Sequence, residues 1–487
     1  MSPAEHDGIA IDIIDLAANA GAAKVLAKTA AAAAIIRMFF MNIPLSFEKA
    51  VASRRDRYGV ALPKETVRSP HVRTICSKVR TPRMVPASNI VPERKDIRAE
   101  LDTVSPHMRV LVIGAGPGGS AAAIELTRAG ADVRIVEKSA FPRAKTCGDG
   151  ISPPGVREAQ ALGLALDDKT PLRLGEISTP SGTRFRAGWR PETPWGAIVE
   201  RREFDERLLA IAIAAGARFE DRTTARDITF GTRGPAVRLG HDVTATHELF
   251  DAIVLAEGAT GTLAPKLGFG RHHSRLVALR GYTRAIKPLE PQFGLYFDRD
   301  VSPGYGWIFP VDRERANVGV LVDERAVRAR GGDLRGILRD WTATSAIARE
   351  TIGPNPTYES LRGGVIPTGR RSRVRGGVYL VGDAAGVADP FSAEGIYQAM
   401  ATGRAAAAAL VEHGPGRAAE RAYARALRPF DRNAAEARRL RMGFGLVIDV
   451  MGARAVKSPK LAFHLSSSGF FMKDSLPAFL LGIARTW

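Results

Sequence analysis

The chain is 487 residues long, enough for two or three domains and a sizeable core. Lys and Arg outnumber Asp and Glu by 70 to 51, and the resulting charge of +19 favours anionic partners, while 45% hydrophobic and 25% charged residues are ordinary for a soluble protein. Two cysteines, Cys76 and Cys147, exclude a disulfide framework, and no run of about 18 apolar residues marks a spanning helix.

In chain order, residues 1–107 read as an N-terminal extension. Residues 30–41 (AAAAAIIRMFFM) form a short apolar helix candidate interrupted by Arg37. Residues 53–107 are basic and proline-dotted, a composition that suits a linker or disordered stretch. The N-terminus is acidic and polar, unlike a secretory signal, so a reducing, cytoplasmic location is expected. Met108 stands directly before the first strand, and the preceding residues are expected to be dispensable to chemistry.

The apolar run 110–113 predicts a buried strand, residues 120–128 a helix, and residues 132–136 a second strand. Between them lies Gly114-Ala115-Gly116-Pro117-Gly118-Gly119, and Glu137 follows the third motif glycine by eighteen residues. A lone G-x-G-x-x-G is weak evidence, but a strand-turn-helix-strand unit closed by an acid is a dinucleotide-binding fingerprint. Gly114 permits the tight turn, Gly116 lets a pyrophosphate approach the backbone, and Gly119 lets helix and strand pack closely. The helix N-terminus faces the phosphates, and Glu137 accepts from the adenosine ribose hydroxyls. An ADP-containing cofactor is expected.

Residues 175–186 and the segment around Trp195 read as short strands and turns, residues 204–216 as a helix, and residues 219–257 as strands ending in the buried run 252–255. Residues 276–323 are again strand-rich. A buried strand at 378–381 delivers Asp383 after Gly382, and a long alanine-rich helix covers 396–412. Asp383 at a strand's carboxyl end suits a polyol hydroxyl such as the ribityl chain of a flavin. Gly386, Pro390 and Gly395 shape a turn that admits a flat ring, and the helix N-terminus at Ile396 stabilises negative charge on a reduced flavin. A nicotinamide dehydrogenase has no use for this second site, so FAD is expected rather than NAD.

The fold class expected is α/β (mixed α+β): a Rossmann-type FAD-binding domain (108–150, 198–270, 363–410) interleaved with a β-rich substrate domain (151–197, 271–362). A helical, basic C-terminal region (411–487) follows, with apolar patches at 444–450 and 479–483. No internal repeat is present. The adjacent His272-His273 pair lacks metal-ligand spacing, no nucleophile motif appears, and no zinc-finger or single-strand recognition motif points to nucleic acid.

Residues 114–137 together with Gly382-Asp383 resemble the aromatic-hydroxylase-type flavoprotein superfold. Three further segments resemble the geranylgeranyl reductase family: Phe141-Pro142-Arg143 running into Lys145-Thr146-Cys147-Gly148-Asp149-Gly150; the stretch 303–310 with Ala316-Asn317-Val318-Gly319-Val320; and Asp389-Pro390-Phe391-Ser392-Ala393-Glu394-Gly395-Ile396. The resemblance covers residues 108 to about 410. It implies reduction of carbon–carbon double bonds in prenyl chains from reduced FAD, and it places Arg201 near the cofactor. Lys138 and Gly148 are further candidate cofactor contacts, and Cys147, between glycine-rich turns, is a candidate to sit against the flavin edge. Two positions depart from the family pattern. Its D-G after the third buried strand is Glu257-Gly258 here, and the glycine preceding its motif glutamate is Ala393, whose methyl tightens the site.

Alternation along residues 305–309 puts Tyr305, Trp307 and Phe309 on one face, a candidate wall for a long apolar chain. An isolated alkene accepts hydride poorly, so a proton must lead or accompany the transfer; Cys147, or a water held by Tyr305, is the candidate source. Arg143 and Lys145 suit a pyrophosphate, a substrate anion or solvent. With no second nucleotide fingerprint, the reductant is NADPH docking transiently or a ferredoxin-like protein. The basic tail is compatible with peripheral contact at the inner face of a membrane, although packing on the FAD domain is the simpler reading. The rival activity is an FAD monooxygenase acting on an apolar or aromatic small molecule. The W-x-W-x-I-P signature of flavin halogenases is absent.

Overall fold

The computed structural model describes residues 108–188, 195–240, 247–369 and 372–435, with a few isolated positions up to 456. The helix candidate at 30–41, the basic segment 53–107 and the patch 479–483 lie outside the described residues; of the patch 444–450 only Ile448 and Asp449 are described.

The chain opens with β1 (Arg109–Ile113), α1 (Pro117–Arg128) and β2 (Asp132–Val136), then β3 (Gly150–Ile151), α2 (Pro153–Ala161), β4 (Leu174–Ser178), β5 (Arg184–Gly188) and β6 (Ala197–Ile198). It continues through α3 (Arg201–Ala214), β7 (Arg218–Glu220), β8 (Ala225–Gly231), β9 (Gly234–Leu239), β10 (Glu248–Leu249), β11 (Ala252–Leu255) and α4 (Leu263–Lys266). Four long strands follow: β12 (Ser274–Arg284), β13 (Gln292–Tyr296), β14 (Gly304–Pro310) and β15 (Arg315–Asp323). Helices α5 (Glu324–Ala329), α6 (Leu334–Thr344) and α7 (Ala346–Ile352) precede β16 (Glu359–Thr368), β17 (Val374–Arg375) and β18 (Val378–Leu380). Two helices, α8 (Ile396–His413) and α9 (Arg417–Ala426), end the described core.

A six-stranded sheet has the order β17-β18-β11-β1-β2-β7. All its neighbours are parallel except the edge strand β17. Val110, Leu111 and Val112 of β1 and all four residues of β11 are fully buried, because a parallel sheet covered on both faces needs unbroken apolar strands. Helix α1 begins at Pro117, three residues before the sequence reading placed it, since proline's fixed φ and missing N–H suit the first helical turn.

Small residues set how α1 and α8 meet. A β-carbon on Gly403 of α8 would stand 2.1 Å from the Gly118 carbonyl oxygen of α1, and one on Gly118 would stand 3.0 Å from the Ala399 carbonyl oxygen. The two backbones therefore approach at their N-terminal halves. Neither N-cap, Gly116 or Gly395, supplies a side-chain cap to its helix, so the orphan N–H groups of both helices are left for another partner.

The second large sheet has seven strands in the order β16-β12-β15-β14-β13-β4-β5, antiparallel except where β13 runs parallel to β4. Its outer face buries Leu279, Ile308, Val318, Val320 and Val322 against Trp341, Ile337 and Leu338 of α6. Burial of side chains this size stabilises the fold by roughly 1.5–3 kcal/mol each. The period of two then turns Arg280, Tyr305, Trp307, Phe309, Asn317 and Leu321 toward the opposite face. That face looks onto the carboxyl end of the parallel sheet. The basic C-terminal segment packs on the core at its start: Tyr423 of α9 is fully buried and donates to the Leu380 carbonyl oxygen of β18.

Candidate active site

One cavity of about 530 Å³ joins the glycine turn after β1, the loop after β18 and the inner face of the seven-stranded sheet. Gly114, Gly116, Pro117, Gly118, Glu137, Lys138, Cys147, Gly148, Arg201, Gly382, Asp383, Gly395 and Ile396 line it, as do Tyr305 and Trp307. Ala115 and Gly119 do not. Ala115 is fully buried and its N–H donates to Glu137 Oε2 at 3.2 Å. A β-carbon on Gly119 would stand 1.9 Å from the Gly114 carbonyl oxygen and 3.1 Å from Val112, so this glycine serves helix–strand packing.

The glycine turn is built to leave space. Gly114 has φ +105°, and a β-carbon there would lie 2.3 Å from the Ala256 carbonyl oxygen. A β-carbon on Gly116 meets only an Arg143 guanidinium nitrogen, at 3.5 Å. Among the described residues only the Arg143 guanidinium comes close to Gly116, which sits at the uncapped N-terminus of α1. The carboxylate of Glu137 accepts from Ser139 N at 3.1 Å and pairs with Arg143 Nε at 3.2 Å. Asp383 stands half-exposed across the cavity, 3.9 Å from Lys145 Nζ. These residues fit an FAD: backbone donors for its phosphates, a carboxylate for its ribose, and a second carboxylate beside the N-terminus of α8.

The two departures from the family pattern have local explanations. Glu257, one methylene longer than aspartate, turns onto α4, accepting from Leu263 N at 2.9 Å and Ala264 N at 2.8 Å. Ala393 sits at φ +56°, in the left-handed region that favours glycine, so its methyl both faces the cavity and strains the backbone.

An unbroken series of aromatic rings runs along the sheet side; Phe293, Phe309, Trp307 and Tyr305 line the cavity, and Phe297 and Phe391 extend the series beyond it. Phe293 meets Phe309 edge-on with centroids 5.5 Å apart, Phe309 meets Trp307 at 6.3 Å, and Trp307 meets Tyr305 at 6.3 Å. Tyr305 then meets Phe297 at 5.7 Å, and Phe297 stacks on Phe391 at 6.4 Å. The polar atoms of two of these rings are engaged. Tyr305 donates its hydroxyl proton to the Ser392 carbonyl oxygen, and Trp307 Nε1 donates to Asn317 Oδ1 at 3.0 Å.

Beneath Cys147 lies a buried polar knot that the sequence reading did not single out. Asn317 Nδ2 donates to the Cys147 carbonyl oxygen at 3.0 Å and to Asp149 Oδ2 at 2.7 Å. Asp149, fully buried at φ +64°, also accepts from the Tyr282 hydroxyl at 2.6 Å and from Arg201 N at 3.3 Å. Burial pushes the Asp149 carboxyl up, against the hydrogen bonds of Tyr282 and Asn317. Arg201 grips Asp205 through two 2.8 Å bonds, and Asp205 also holds Arg143 at 3.0 Å. Glu137, Arg143, Asp205 and Arg201 thus form an alternating charge chain from the adenosine end of the cavity to Cys147. The Arg201 guanidinium lies near the Cys147 thiol and interacts with it electrostatically. Burial pushes that thiol up, the nearby guanidinium pulls it down, and the net shift is upward, which keeps it protonated at neutral pH.

Arg280 was also missed. Its signal was an arginine within the buried alternation of β12, where Leu276, Ala278, Arg280 and Tyr282 share a face. Among the described residues no group of His, Cys, Asp and Glu could hold a metal ion, and no helix is long and apolar enough to cross a membrane.

Residues 107–433 match the family described as FAD binding domain. The chain is 34% identical over 323 residues to the menaquinone reductase of Mycolicibacterium smegmatis, covering 63% of this chain and 76% of that one. It is 32% identical over 321 residues to digeranylgeranylglycerophospholipid reductase 1 of Methanopyrus kandleri, covering 62% and 80%. In structure it is similar to a geranylgeranyl bacteriochlorophyll reductase-like protein of Thermoplasma acidophilum, with a TM-score of 0.65, 21% identity, and 78% and 97% of the two chains covered. The flavin-dependent halogenase CmlS shares the fold at a TM-score of 0.60 and 21% identity, over 78% of this chain and 77% of that one. The chain belongs to the FAD binding domain family, within its geranylgeranyl reductase group, and is an FAD-dependent oxidoreductase.

Proposed function

We propose that this protein saturates a carbon–carbon double bond in a prenyl chain. The observation that carries the reading is the aromatic series Phe293, Phe309, Trp307 and Tyr305, which walls the same cavity that the dinucleotide glycines and Asp383 open onto. A polyisoprenoid is flexible and apolar, and a dry aromatic wall orders it without demanding hydrogen bonds. FAD held by Gly114, Gly116, Glu137, Asp383 and the N-terminus of α8 supplies, once reduced, the hydride that such a reaction needs. The relatives named as menaquinone and digeranylgeranylglycerophospholipid reductases support a prenylated substrate.

The chain's own residues supply the rest. Residues 108–150, 198–270 and 363–410 hold the cofactor, and residues 151–197 and 271–362 hold the substrate. Cys147 keeps its proton at Sγ and delivers it to the alkene carbon opposite the one receiving hydride. The thiolate left behind faces Arg201, whose charge is fixed in place by Asp205, and recovers its proton from solvent. The rings of Trp307, Phe309 and Phe293 exclude water, so the charge developing on the alkene is not quenched by hydration.

Anaerobic reduction of the purified, FAD-loaded protein, followed by prenyl substrates and mass spectrometry, tests this. A product heavier by two hydrogens is expected. Product forming only with oxygen uptake, and gaining an oxygen atom, would assign the site to monooxygenation instead.

A further inference from the structure

Arg280 is 4% exposed, yet no carboxylate lies within ion-pair distance of it among the described residues. Of its five N–H donors, one hydrogen bond within the described residues is formed, from Nη1 to the Ser360 carbonyl oxygen at 3.3 Å. Its Nε is buried with no partner. The guanidinium also lies over the face of Tyr282, 4.5 Å from the ring centroid. The nearby carboxylate, Asp149, acts on Arg280 through charge and not through an ion-pair contact: its Oδ2 accepts from Tyr282 and Asn317 and its Oδ1 from the Arg201 N–H. A guanidinium in such surroundings is costly unless something else accepts from it.

The sheet register shows where that acceptor would sit. Arg280 pairs with Gly319 across β12 and β15, and Gly319 pairs with Trp307 across β15 and β14. The Trp307 indole lies over Gly319, so Arg280 stands at the edge of the aromatic wall, in the lining of the cavity. The flanking positions on its own strand and the next are apolar, Ala278 and Leu321. One planar donor beside the Trp307 indole suits a single neutral oxygen on a flat ring. A phosphate would call for several cations around it.

We infer that Arg280 receives a carbonyl oxygen of the substrate's head group, so that the preferred substrate is a prenylated quinone whose ring lies against Trp307. This rests on the prenyl-reductase reading and narrows it. The test uses the oxidised, FAD-loaded protein, so that no electron passes to the quinone. Flavin absorbance and tryptophan fluorescence are followed during titration with a prenylated naphthoquinone, a prenyl diphosphate and a prenyl hydrocarbon with no oxygen. In R280M the quinone is expected to bind roughly tenfold to a hundredfold more weakly, with hydrocarbon affinity and the flavin spectrum unchanged. Equal quinone binding by both proteins overturns the inference. So does equal weakening for the hydrocarbon, which would make Arg280 a packing residue, or an altered flavin spectrum, which would make the flavin its partner. A larger loss for the diphosphate than for the quinone also overturns it and assigns an anionic head group. If R280M fails to retain FAD, R280K is read in the same way, weakened quinone binding under an unchanged flavin spectrum supporting the assignment and unchanged binding overturning it. Failure of every prenyl compound to bind the unaltered protein would sink the functional reading itself, a result distinct from any of these.

Discussion

The indole of Trp307 lies across Gly319 of the neighbouring strand, so closely that a β-carbon at Gly319 would stand 2.4 Å from Cζ2 and 2.3 Å from the Leu279 carbonyl oxygen. The glycine is thus what allows the aromatic wall to lie flat on the sheet. G319A should destabilise the protein by about 1–3 kcal/mol through overpacking and tilt the indole. Thermal unfolding and a shifted tryptophan emission, with a raised KM for substrate, are the expected signs.

Gly116 and Gly119 separate cofactor binding from folding within one motif. At Gly116 an added side chain meets little protein, whereas at Gly119 it meets the Gly114 carbonyl oxygen at 1.9 Å. G116V should therefore give a folded protein with near-normal thermal stability that no longer retains FAD. G119V should lose the fold itself. Circular dichroism and the flavin absorbance of the purified proteins distinguish the two outcomes.

Asn317 ties together Trp307, the Cys147 backbone and Asp149. N317L keeps the branched shape and removes every side-chain hydrogen bond. The stranded indole N–H and carboxylate oxygen should cost about 2–6 kcal/mol, at roughly 1–3 kcal/mol for each unsatisfied buried group. FAD affinity should change less than substrate affinity, because Asn317 holds the sheet side of the cavity.

Cys147 carries a thiol whose folded pKa lies above its ordinary value of 9.0 because of burial. A thiol raised in this way stabilises the fold below the unfolded pKa and loses that contribution as pH climbs through the folded one, since the unfolded chain then binds fewer protons. Stability should thus fall above about pH 9, and less steeply in C147A. If the thiol is the proton source, C147A should keep its yellow colour and lose most turnover, and the native rate should stay flat through neutral pH. Unchanged turnover in C147A would remove Cys147 from the reaction.

Ala393 occupies a left-handed backbone position at φ +56° beside the cavity. A393G should relieve that strain, and after allowing for glycine's greater freedom when unfolded it should raise stability by about 0.5–1 kcal/mol. A rise in melting temperature checks it; a fall would mean that the methyl's packing outweighs the strain.

The sequence by itself determined the cofactor class and the architecture. Gly114, Gly116, Gly119, Glu137 and Asp383 are each positioned by the turn, strand end or helix start in which they sit, and that geometry is local, so contiguous residues encode it. The alternation of Tyr305, Trp307 and Phe309 was legible for the same reason. Only the tertiary structure decided the chemistry of the pocket floor. Asp149 meets Asn317 across 168 residues, and Arg143 meets Asp205 across 62. Arg280 faces Trp307 because two strand registers place both beside Gly319. Such partners are chosen by how strands pair and sheets pack, and no short-range spacing along the chain records that choice.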